Sequence, residues 1–309
     1  MAYVPSPEGA SRRVRPEVAG TAEMFGPHPS PAAQRPPQDD GIRLNDNGLK
    51  FLDIGDASAR RRIAVRAQAG GSPGLFWLGG YKSDMKGTKA QALAEWAKRE
   101  GRACVRFDYS GHGESNIGAS GGAFTDGTIG RWLDESLAVF DAFCRGPQIL
   151  VGSSMGGWIA LLLVRALQRR GKPAPAHTAS VAGLVLIAPA VDFTEELMWK
   201  RFTPEIKREL EETGVWARPS QYSAEPYLVT RRLIAEGRDH LLLGGMIECG
   251  CPVRILQGVE DPDVPWQHAK ALVARLACDD VVLTLVKDGD HRLSRPEDID
   301  RLMGAVKEF

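Results

Sequence analysis

The chain has 309 residues, of which 43% are apolar and 25% are charged, as in an ordinary globular protein. Its 39 lysine and arginine residues balance 39 aspartate and glutamate residues, so the net charge at pH 7 is zero. This balance supplies no electrostatic reason to expect nucleic acid or an anionic membrane as a partner.

The N-terminal stretch, residues 1–45, is rich in proline, with Ser, Gly, Gln and charged residues between the prolines. Such a composition cannot bury a packed core, so we predict a disordered tail there and one folded domain over residues 46–309. The tail carries several arginines, as organelle transit peptides do. Its glutamates and prolines, however, disfavour the amphipathic helix that such peptides form.

The five cysteines bear on the compartment in which the protein works. Their odd number and irregular spacing do not resemble a disulfide framework, and reduced thiols are the simpler interpretation. The start of the chain also lacks a charged segment followed by an apolar one, which argues against a secretory signal. We therefore expect a cytoplasmic protein rather than a mitochondrial one.

From about residue 60, short apolar runs alternate with longer stretches that have apolar residues at helical spacing. Uniformly apolar runs are typical of strands buried on both faces. We therefore predict a mostly parallel sheet with helices on both faces. The predicted strands are Ile63–Ala67, Leu75–Leu78, Ala103–Asp108, Gln148–Gly152, Gly183–Ala188, Val253–Gln257 and Val281–Val286, and the predicted helices include Thr88–Glu100, Thr128–Cys144 and Trp158–Leu167.

A strand, a Gly-x-Ser-x-Gly turn and a helix follow one another in residues 148–158. Side chains at Gly152 or Gly156 would collide with neighbouring elements, and the tight turn would project the Ser154 hydroxyl above the sheet. The N-terminus of the following helix favours negative charge that develops nearby. We therefore predict that Ser154 is a nucleophile.

Between Pro189 and Pro252 the alternation stops, and no clear strand is visible. A plain loop of this length is improbable in a compact domain, so we predict a helical insertion at about residues 193–247. Its aromatic residues either anchor the insertion on the domain or line a pocket, and both interpretations stay open. In the second, Trp216 and Tyr222 are the candidate substrate contacts.

A serine hydroxyl is a weak nucleophile and needs a base to take its proton. His291 directly follows the last apolar strand, at the sheet edge where ligands bind in open α/β folds. The other histidines lie in the tail, in loops, on a helix or in the insertion. We therefore predict that His291 is the base.

The base needs a carboxylate that fixes its tautomer and stabilises the imidazolium. The loop after the strand Val253–Gln257 offers Asp261 and Asp263, and also Glu260, which is a weaker candidate. Asp192, just after the preceding strand, is a further alternative. These residues leave the choice open.

Together these features resemble the α/β-hydrolase family, in which nucleophile, acid and base occur in the order Ser, Asp, His. The loop that carries the acid there commonly reads Gly-x-x-Asp-x-x-Val-Pro, which falls here on Gly258, Asp261, Val264 and Pro265. The resemblance therefore implies Asp261 as the acid, with Asp263 in reserve. It also implies the α/β-hydrolase fold, a mostly parallel central sheet flanked by helices, with the insertion as a helical cap between strands 6 and 7 of the family's numbering.

The oxyanion hole of this family combines two backbone N–H groups, one after the nucleophile and one from the loop after the third strand. Here the first belongs to Met155. The second loop begins with Gly79 and Gly80, so the resemblance implies Tyr81 as the other donor. A second family turn, Asp108–Ser115, shapes a loop and implies a structural role for its histidine.

A narrower similarity lies in four segments, Phe107–Gly111, Gly146–Ser154, Cys251–Arg254 and Val264–Gln267. They resemble a subfamily of mitochondrial acyl-protein thioesterases that also hydrolyse acyl glucuronides, together with its bacterial-type relatives. The similarity covers about residues 60 to 309.

We accordingly expect a serine esterase or thioesterase in which Ser154 attacks the acyl carbon and water later frees the acid. The expected partner is a small-molecule or acyl-chain ester or thioester, including an S-acylated protein. We expect no cofactor, no metal site and no nucleic-acid partner. We also expect no membrane span, because the most apolar run, Trp158–Val164, is far shorter than the ~20 residues required.

Two other functions remain alternatives at this stage. The first is a cofactor-free perhydrolase or C–C-bond hydrolase that uses the same three residues. The second belongs to another class, a non-catalytic binding protein with a hydrolase fold, which would usually lack one of the three. The sequence leaves the natural substrate and the oligomeric state undetermined.

Overall fold

A central sheet organises the part of the chain that the computed structural model describes, which is residues 42–44, 48–56, 60–116, 122–170, 179–219, 226–277 and 280–309. Only the backbone is described for residues 42–44. In chain order the strands are β1 (Ile42–Leu44), β2 (Lys50–Ile54), β3 (Arg61–Gln68), β4 (Gly71–Leu78), β5 (Arg102–Phe107), β6 (Pro147–Ser153), β7 (Ser180–Ile187), β8 (Val215–Arg218), β9 (Tyr227–Thr230), β10 (Val253–Gly258) and β11 (Val281–Val286).

Nine of these strands pair in the order β1-β2-β3-β5-β4-β6-β7-β10-β11. The pairs from β1 to β5 are antiparallel, and every pair from β5 to β11 is parallel. The prediction of a mostly parallel sheet is therefore confirmed. Strand β1 lies inside the stretch that we predicted as tail, so the sheet begins before residue 46; the rest of that predicted tail lies outside the described residues.

Helices cover both faces of the sheet. Consecutive strand residues point to opposite sides, and in the central strands the residues on both sides are apolar and need to be buried. Phe76 and Leu78 of β4 belong to one buried cluster, whereas Leu75 and Trp77 belong to the other. The first cluster includes α2 (Ile129–Phe143), α3 (Met155–Arg169) and α6 (Trp266–Val273), and the second includes α1 (Thr88–Arg99) and α7 (Pro296–Lys307). This two-sided burial explains why the central strands are apolar throughout.

The parallel strands place their C-terminal ends along one edge of the sheet. The loop after β4 begins with Gly79, Ser154 directly follows β6, and the loops after β10 and β11 carry Asp261 and His291. Residues that are far apart in the chain therefore meet at this edge.

The insertion at about residues 193–247, which we call the cap, lies between β7 and β10 and is only partly helical. It contains α4 (Pro204–Thr213) and α5 (Arg231–Gly237), together with short π and 3-10 segments. It also contains an antiparallel hairpin of β8 and β9, which corrects our expectation of an insertion without strands. Neither four-residue segment alternates strictly between apolar and polar residues, so periodicity does not mark either one as a strand.

Two carboxylates fasten the cap to the domain. Asp192, just after β7, accepts hydrogen bonds from the amides of Leu242 and Leu243 at 2.8–3.0 Å. The Glu236 carboxylate accepts the amides of Ile129 and Gly130, at the N-terminus of α2, at 2.9 and 2.8 Å. A carboxylate at a helix N-terminus satisfies amides that lack helical partners. Among the helices of the described ranges, none combines the length and the apolar character that a bilayer span requires.

Candidate active site

Ser154 occupies a strained turn between β6 and α3. Its φ of 54° and ψ of −118° lie outside the regions that residues other than glycine usually adopt. A Cβ atom on Gly152 would lie 2.5 Å from the carbonyl oxygen of Gly156, and one on Gly156 would lie 2.0 Å from that of Leu78. Only glycine fits at either position, so these two residues allow the turn that presents the serine.

Three side chains predicted from the sequence form one hydrogen-bonded chain. The Oγ atom of Ser154 lies 3.1 Å from Nε2 of His291, and Nδ1 of His291 lies 2.7 Å from Oδ2 of Asp261. A carboxylate at Nδ1 holds the proton on that nitrogen and leaves Nε2 able to accept the serine proton. The arrangement can therefore activate the Ser154 hydroxyl as a nucleophile.

Asp261 is held by a dense set of donors. Its Oδ1 atom accepts the amides of Asp263 at 2.9 Å and Val264 at 2.8 Å, and Oδ2 accepts Nε2 of Gln257 at 3.2 Å. The carboxylate is fully buried, so these bonds replace water and fix its orientation toward His291.

The alternative acids lie elsewhere or have other partners. Asp263 pairs with Arg218 of the cap at 2.8 Å, and Glu260 is exposed. The carboxylate of Asp192 is bound to cap amides, and burial raises its pKa. Of the four carboxylates considered from the sequence, Asp261 is the one that is hydrogen-bonded to His291 in the described structure.

The loop after β4 passes directly over the nucleophile. A Cβ atom on Gly80 would lie 3.3 Å from Cβ of Ser154 and 4.0 Å from its Oγ atom. Met155 is the first residue of α3, so its amide lies at the N-terminus of that helix, where negative charge is favoured. The predicted donors, the amides of Met155 and Tyr81, thus belong to the two backbone segments that adjoin Ser154.

Tyr81 packs among aromatic rings and is hydrogen-bonded to the cap. Its hydroxyl donates to the carbonyl of Leu228 in β9 at 2.8 Å, and burial raises the pKa of that hydroxyl. The neighbouring rings, with centroids 4.9–6.2 Å away, are Phe124, Trp132, Phe193 and Tyr227. These contacts fix the loop that carries the predicted oxyanion donor.

His112 supports the same loop, a contact that the sequence did not reveal. Its Nε2 atom lies 3.1 Å from the amide of Lys82, which must donate, so the ring proton sits on Nδ1 and is donated to the Ser110 carbonyl at 3.2 Å. Burial lowers the pKa of His112 to about 4, which keeps the ring neutral. Lys82 itself has a φ of 57°, so this bond holds a strained residue next to Tyr81.

Lys89, at the start of α1, is a second residue that sequence reasoning missed. Its ammonium donates to the carbonyl of Arg292 and lies 3.4 Å from Oγ of Ser294, in the loop that follows His291. Burial lowers the pKa of Lys89 to about 8. A lysine on an amphipathic helix carries no signal in the sequence that would predict this contact.

A cavity of about 690 Å³ opens at this edge of the sheet, and Ser154 and His291 line it. One part of the wall is apolar and comes mostly from the cap. Trp216 is in this wall, with its ring 5.0 Å from that of Phe202, whereas the predicted contact Tyr222 lies outside the described residues. The other apolar cap residues in the wall are Phe193, Leu197, Met198, Ile206 and Tyr227.

The cluster of Asp261, Asp263 and His291 is also the one group among the described residues with ligand atoms close enough to hold a metal ion. Its members have other partners, however. Asp261 and His291 are hydrogen-bonded to each other, and the guanidinium of Arg218 at Asp263 would repel a cation. The geometry is that of an acid–base pair rather than of metal ligands.

Comparison of the sequence with known proteins identifies its family and its relatives. A model of the Alpha/beta hydrolase family matches residues 69–302. The human protein named "Palmitoyl-protein thioesterase ABHD10, mitochondrial" is 37% identical over 295 residues, which cover 93% of this chain and 90% of that protein. The corresponding mouse protein is 36% identical and covers 93% of both chains.

Two solved structures extend the likeness to three dimensions. A putative hydrolase from Agrobacterium vitis S4 is 50% identical, with a TM-score of 0.79, and the match covers 86% of this chain and 98% of that one. The alpha/beta hydrolase domain-containing protein 10 from mouse is 35% identical, with a TM-score of 0.70, covering 84% and 97%. The predicted fold and the predicted subfamily resemblance are confirmed.

The expected cytoplasmic location is wrong by the same comparison. The five curated relatives that match are all named as mitochondrial proteins, which points to mitochondria instead. The expectation depended on cysteine count and on the composition of the first residues. Neither property measures how a targeting receptor would recognise the chain.

Proposed function

The chain belongs to the α/β-hydrolase family, and we propose that within it the chain is a serine hydrolase that cleaves carboxylic esters or thioesters through an acyl-enzyme on Ser154. The observation that carries the proposal is the hydrogen-bonded chain from Ser154 through His291 to Asp261 at the wall of a cavity. The three residues have the geometry of nucleophile, base and orienting acid.

Acylation uses all three side chains. Ser154 Oγ attacks the acyl carbon while Nε2 of His291 takes the hydroxyl proton, and Asp261 stabilises the imidazolium that forms. The amides of Met155 and Tyr81 donate to the oxyanion of the tetrahedral intermediate, whose charge grows next to the N-terminus of α3. His291 then passes its proton to the leaving alcohol or thiol, and the bond from the acyl carbon to that leaving group breaks.

Deacylation repeats these steps with water as the nucleophile. His291 removes a proton from the water as it attacks the acyl-enzyme, and then returns that proton to Ser154 Oγ as the carboxylic acid leaves. No redox agent and no second substrate beyond water is needed, so the cycle balances with these residues alone.

The cavity wall bears on the choice of acyl group. Apolar cap residues, Trp216 among them, would bury an acyl chain, and each buried methylene contributes about 0.8 kcal/mol. Curated relatives are named palmitoyl-protein thioesterases, which supports a thioester of a long acyl chain, including an S-acylated protein. We propose that class as substrate, with Trp216 as an acyl contact.

The test combines active-site labelling with turnover of matched substrates. A fluorophosphonate probe should label the wild-type protein at Ser154, and Ser154→Ala should remove labelling and lower kcat by on the order of 10⁶. An oxygen ester and a thioester of the same acyl chain, compared by kcat/KM, then assign the substrate class. Undiminished turnover by Ser154→Ala would refute the mechanism, and acyl-ligand binding without turnover in the wild type would favour the non-catalytic alternative.

A further inference from the structure

The cap hairpin of β8 and β9 is fastened over the catalytic edge of the sheet. In β9, the Leu228 carbonyl accepts the Tyr81 hydroxyl at 2.8 Å, and just before β9 the Pro226 carbonyl accepts the Lys82 ammonium at 3.1 Å. Both donors belong to the loop that passes over Ser154. Strand β8 pairs with β9 and ends at Arg218, so the contacts of β9 also hold the backbone of Arg218.

Arg218 reaches the loop that carries the acid. Its Nη2 atom donates to Oδ1 of Asp263 at 2.8 Å, and the side chains are 38% and 24% exposed. The amide of Asp263 in turn donates to Oδ1 of Asp261 at 2.9 Å. One member of the ion pair, Asp263, is therefore hydrogen-bonded directly to Asp261, the residue that contacts His291.

Two carboxylates, those of Asp261 and Asp263, lie close to the imidazole of His291. A carboxylate oxygen of Asp261, one of Asp263 and a ring nitrogen of His291 all lie within 4.8 Å of one another. A second negative charge at that range would stabilise the imidazolium and offer the ring another acceptor. Both effects would work against a base that must be neutral and correctly oriented.

We propose that Arg218 is a positioning residue that neutralises Asp263 and thereby leaves His291 to be oriented by Asp261 alone. The inference rests on the proposed serine-hydrolase function, in which His291 is the base. It gives the cap a role beyond covering the cavity, because β8, which supplies Arg218, pairs with β9, and β9 contacts the loop after β4. The contacts that hold the hairpin on the domain thereby also affect the protonation and the orientation of His291.

Two further charged groups near His291, Lys89 and Asp290, have partners of their own. Lys89 approaches from α1, and its pKa of about 8 keeps it charged throughout the acidic range of a pH profile. Its ammonium is committed to the loop that follows His291. Asp290 accepts the amides of Arg292 and Leu293 within that loop. The Asp263 carboxylate accepts the Arg218 guanidinium at 2.8 Å.

The experiment is a double-mutant cycle read as the pH profile of kcat/KM, with Arg218→Met, Asp263→Asn and the double variant, on one p-nitrophenyl ester. Without the guanidinium, the Asp263 charge favours protonated His291, so the acid limb should move to higher pH by roughly 0.5–1 unit. Asp263→Asn leaves the Arg218 charge and should move the limb to lower pH. The double variant should return to within about 0.2 unit of wild type.

A matched control comes from another ion pair of the cap. Arg238 donates to Glu195 at 2.9 Å, and these side chains are 43% and 18% exposed, close to the values for the first pair. Arg238→Met should leave the acid limb in place. Thermal melting of each variant separates unfolding from a shifted profile, and Asp263→Asn still tests the sign of the effect if Arg218→Met does not fold.

The outcomes separate the two proposals. Two results would overturn the role of Arg218: an acid limb that does not move in Arg218→Met, or a double variant that keeps the full shift of Arg218→Met. In both cases Ser154 would still be labelled by fluorophosphonate, so the proposed function would stand. Absence of labelling and turnover in the folded wild type would overturn the proposed function itself.

Discussion

The Oδ2 atom of Asp261 lies 2.7 Å from Nδ1 of His291, although 30 positions separate the two residues in the chain. The two loops that carry them follow β10 and β11, which are parallel neighbours in register, so the strand pairing brings them together. Asp263, only two positions from Asp261, is bonded instead to the cap. The structure thus distinguishes two carboxylates that sequence reasoning could rank only by a family motif.

This relationship predicts unequal effects of two isosteric substitutions. Asp261→Asn should lower kcat by about 10⁴, because the amide cannot hold His291 in the tautomer that accepts the serine proton. Asp263→Asn should lower kcat at the pH optimum by less than about tenfold. Steady-state kinetics on one ester, with circular dichroism to verify folding, makes the comparison. The reverse ranking would transfer the acid's role to Asp263.

The loop after β4, which carries the predicted oxyanion donor Tyr81, contains two neighbouring glycines that test its placement. A Cβ atom on Gly80 would lie 3.3 Å from both the Ser153 carbonyl oxygen and Cβ of Ser154, which forces the loop or the serine to shift by a few tenths of an ångström. Gly80→Ala should therefore lower kcat by about ten- to a hundredfold with little change in melting temperature.

The adjacent glycine is the control for that substitution. A Cβ atom on Gly79 would meet its nearest neighbours at 3.8 and 4.0 Å, which is ordinary van der Waals contact. Gly79→Ala should retain kcat within about threefold. Equal losses in both variants would mean that the loop as a whole tolerates no side chain, and the specific placement over Ser154 would lose its support.

The acyl-chain preference should depend on Trp216. This ring lines the cavity, so a longer acyl chain would bury more apolar surface against it. We therefore expect kcat/KM to rise several-fold for each added pair of carbons, up to the length that the cavity holds. Trp216→Ala should flatten that rise. Turnover of acyl esters and thioesters from about two to sixteen carbons measures it.

A second cap tryptophan serves as the comparison. Trp199 packs against Lys207 and Arg238 and is not part of the cavity wall. Trp199→Ala should change stability without changing the slope against chain length. A preference for acetyl groups that neither substitution alters would leave both aromatic residues as anchors of the cap.

Burial of His112 predicts an acid-sensitive component of stability. Its pKa is lowered from the ordinary 6.5 to about 4, so between these pH values the unfolded chain binds a proton that the folded chain does not. The free energy of unfolding should therefore fall as pH decreases from 6.5 to about 4, by up to about 3 kcal/mol from this residue.

The measurement is the melting temperature against pH for wild type and for His112→Gln, whose amide oxygen can still accept the Lys82 amide. The variant should lose part of the slope between pH 6.5 and 4. Asp108, whose pKa burial raises to about 6, contributes a slope of opposite sign, but it is present in both proteins and cancels in the comparison. Parallel curves would show that protonation of His112 does not limit acid stability.

Much of the fold and the centre of the candidate site followed from local sequence patterns. The glycines around Ser154 and the apolar runs of β4, β6 and β7 depend on contacts that each short segment must make wherever it is buried, so residue types report them directly. The order of Ser154, Asp261 and His291 along the chain added the family's arrangement. Strands β1 and β2, which are short and lie on the antiparallel side of the sheet, carried no comparable signal.

The remaining features depend on which distant segments meet. No pattern around Arg218 indicates that it faces Asp263, and none around His112 indicates that it holds the Lys82 amide. The hairpin of β8 and β9 has strands of only four residues, so it depends on contacts with other segments, such as those with Tyr81 and Lys82. Local patterns therefore predicted Ser154, His291 and the sheet. The tertiary structure alone decided which charged groups meet around His291, because contacts between distant residues are set by packing and not by the residues next to them in sequence.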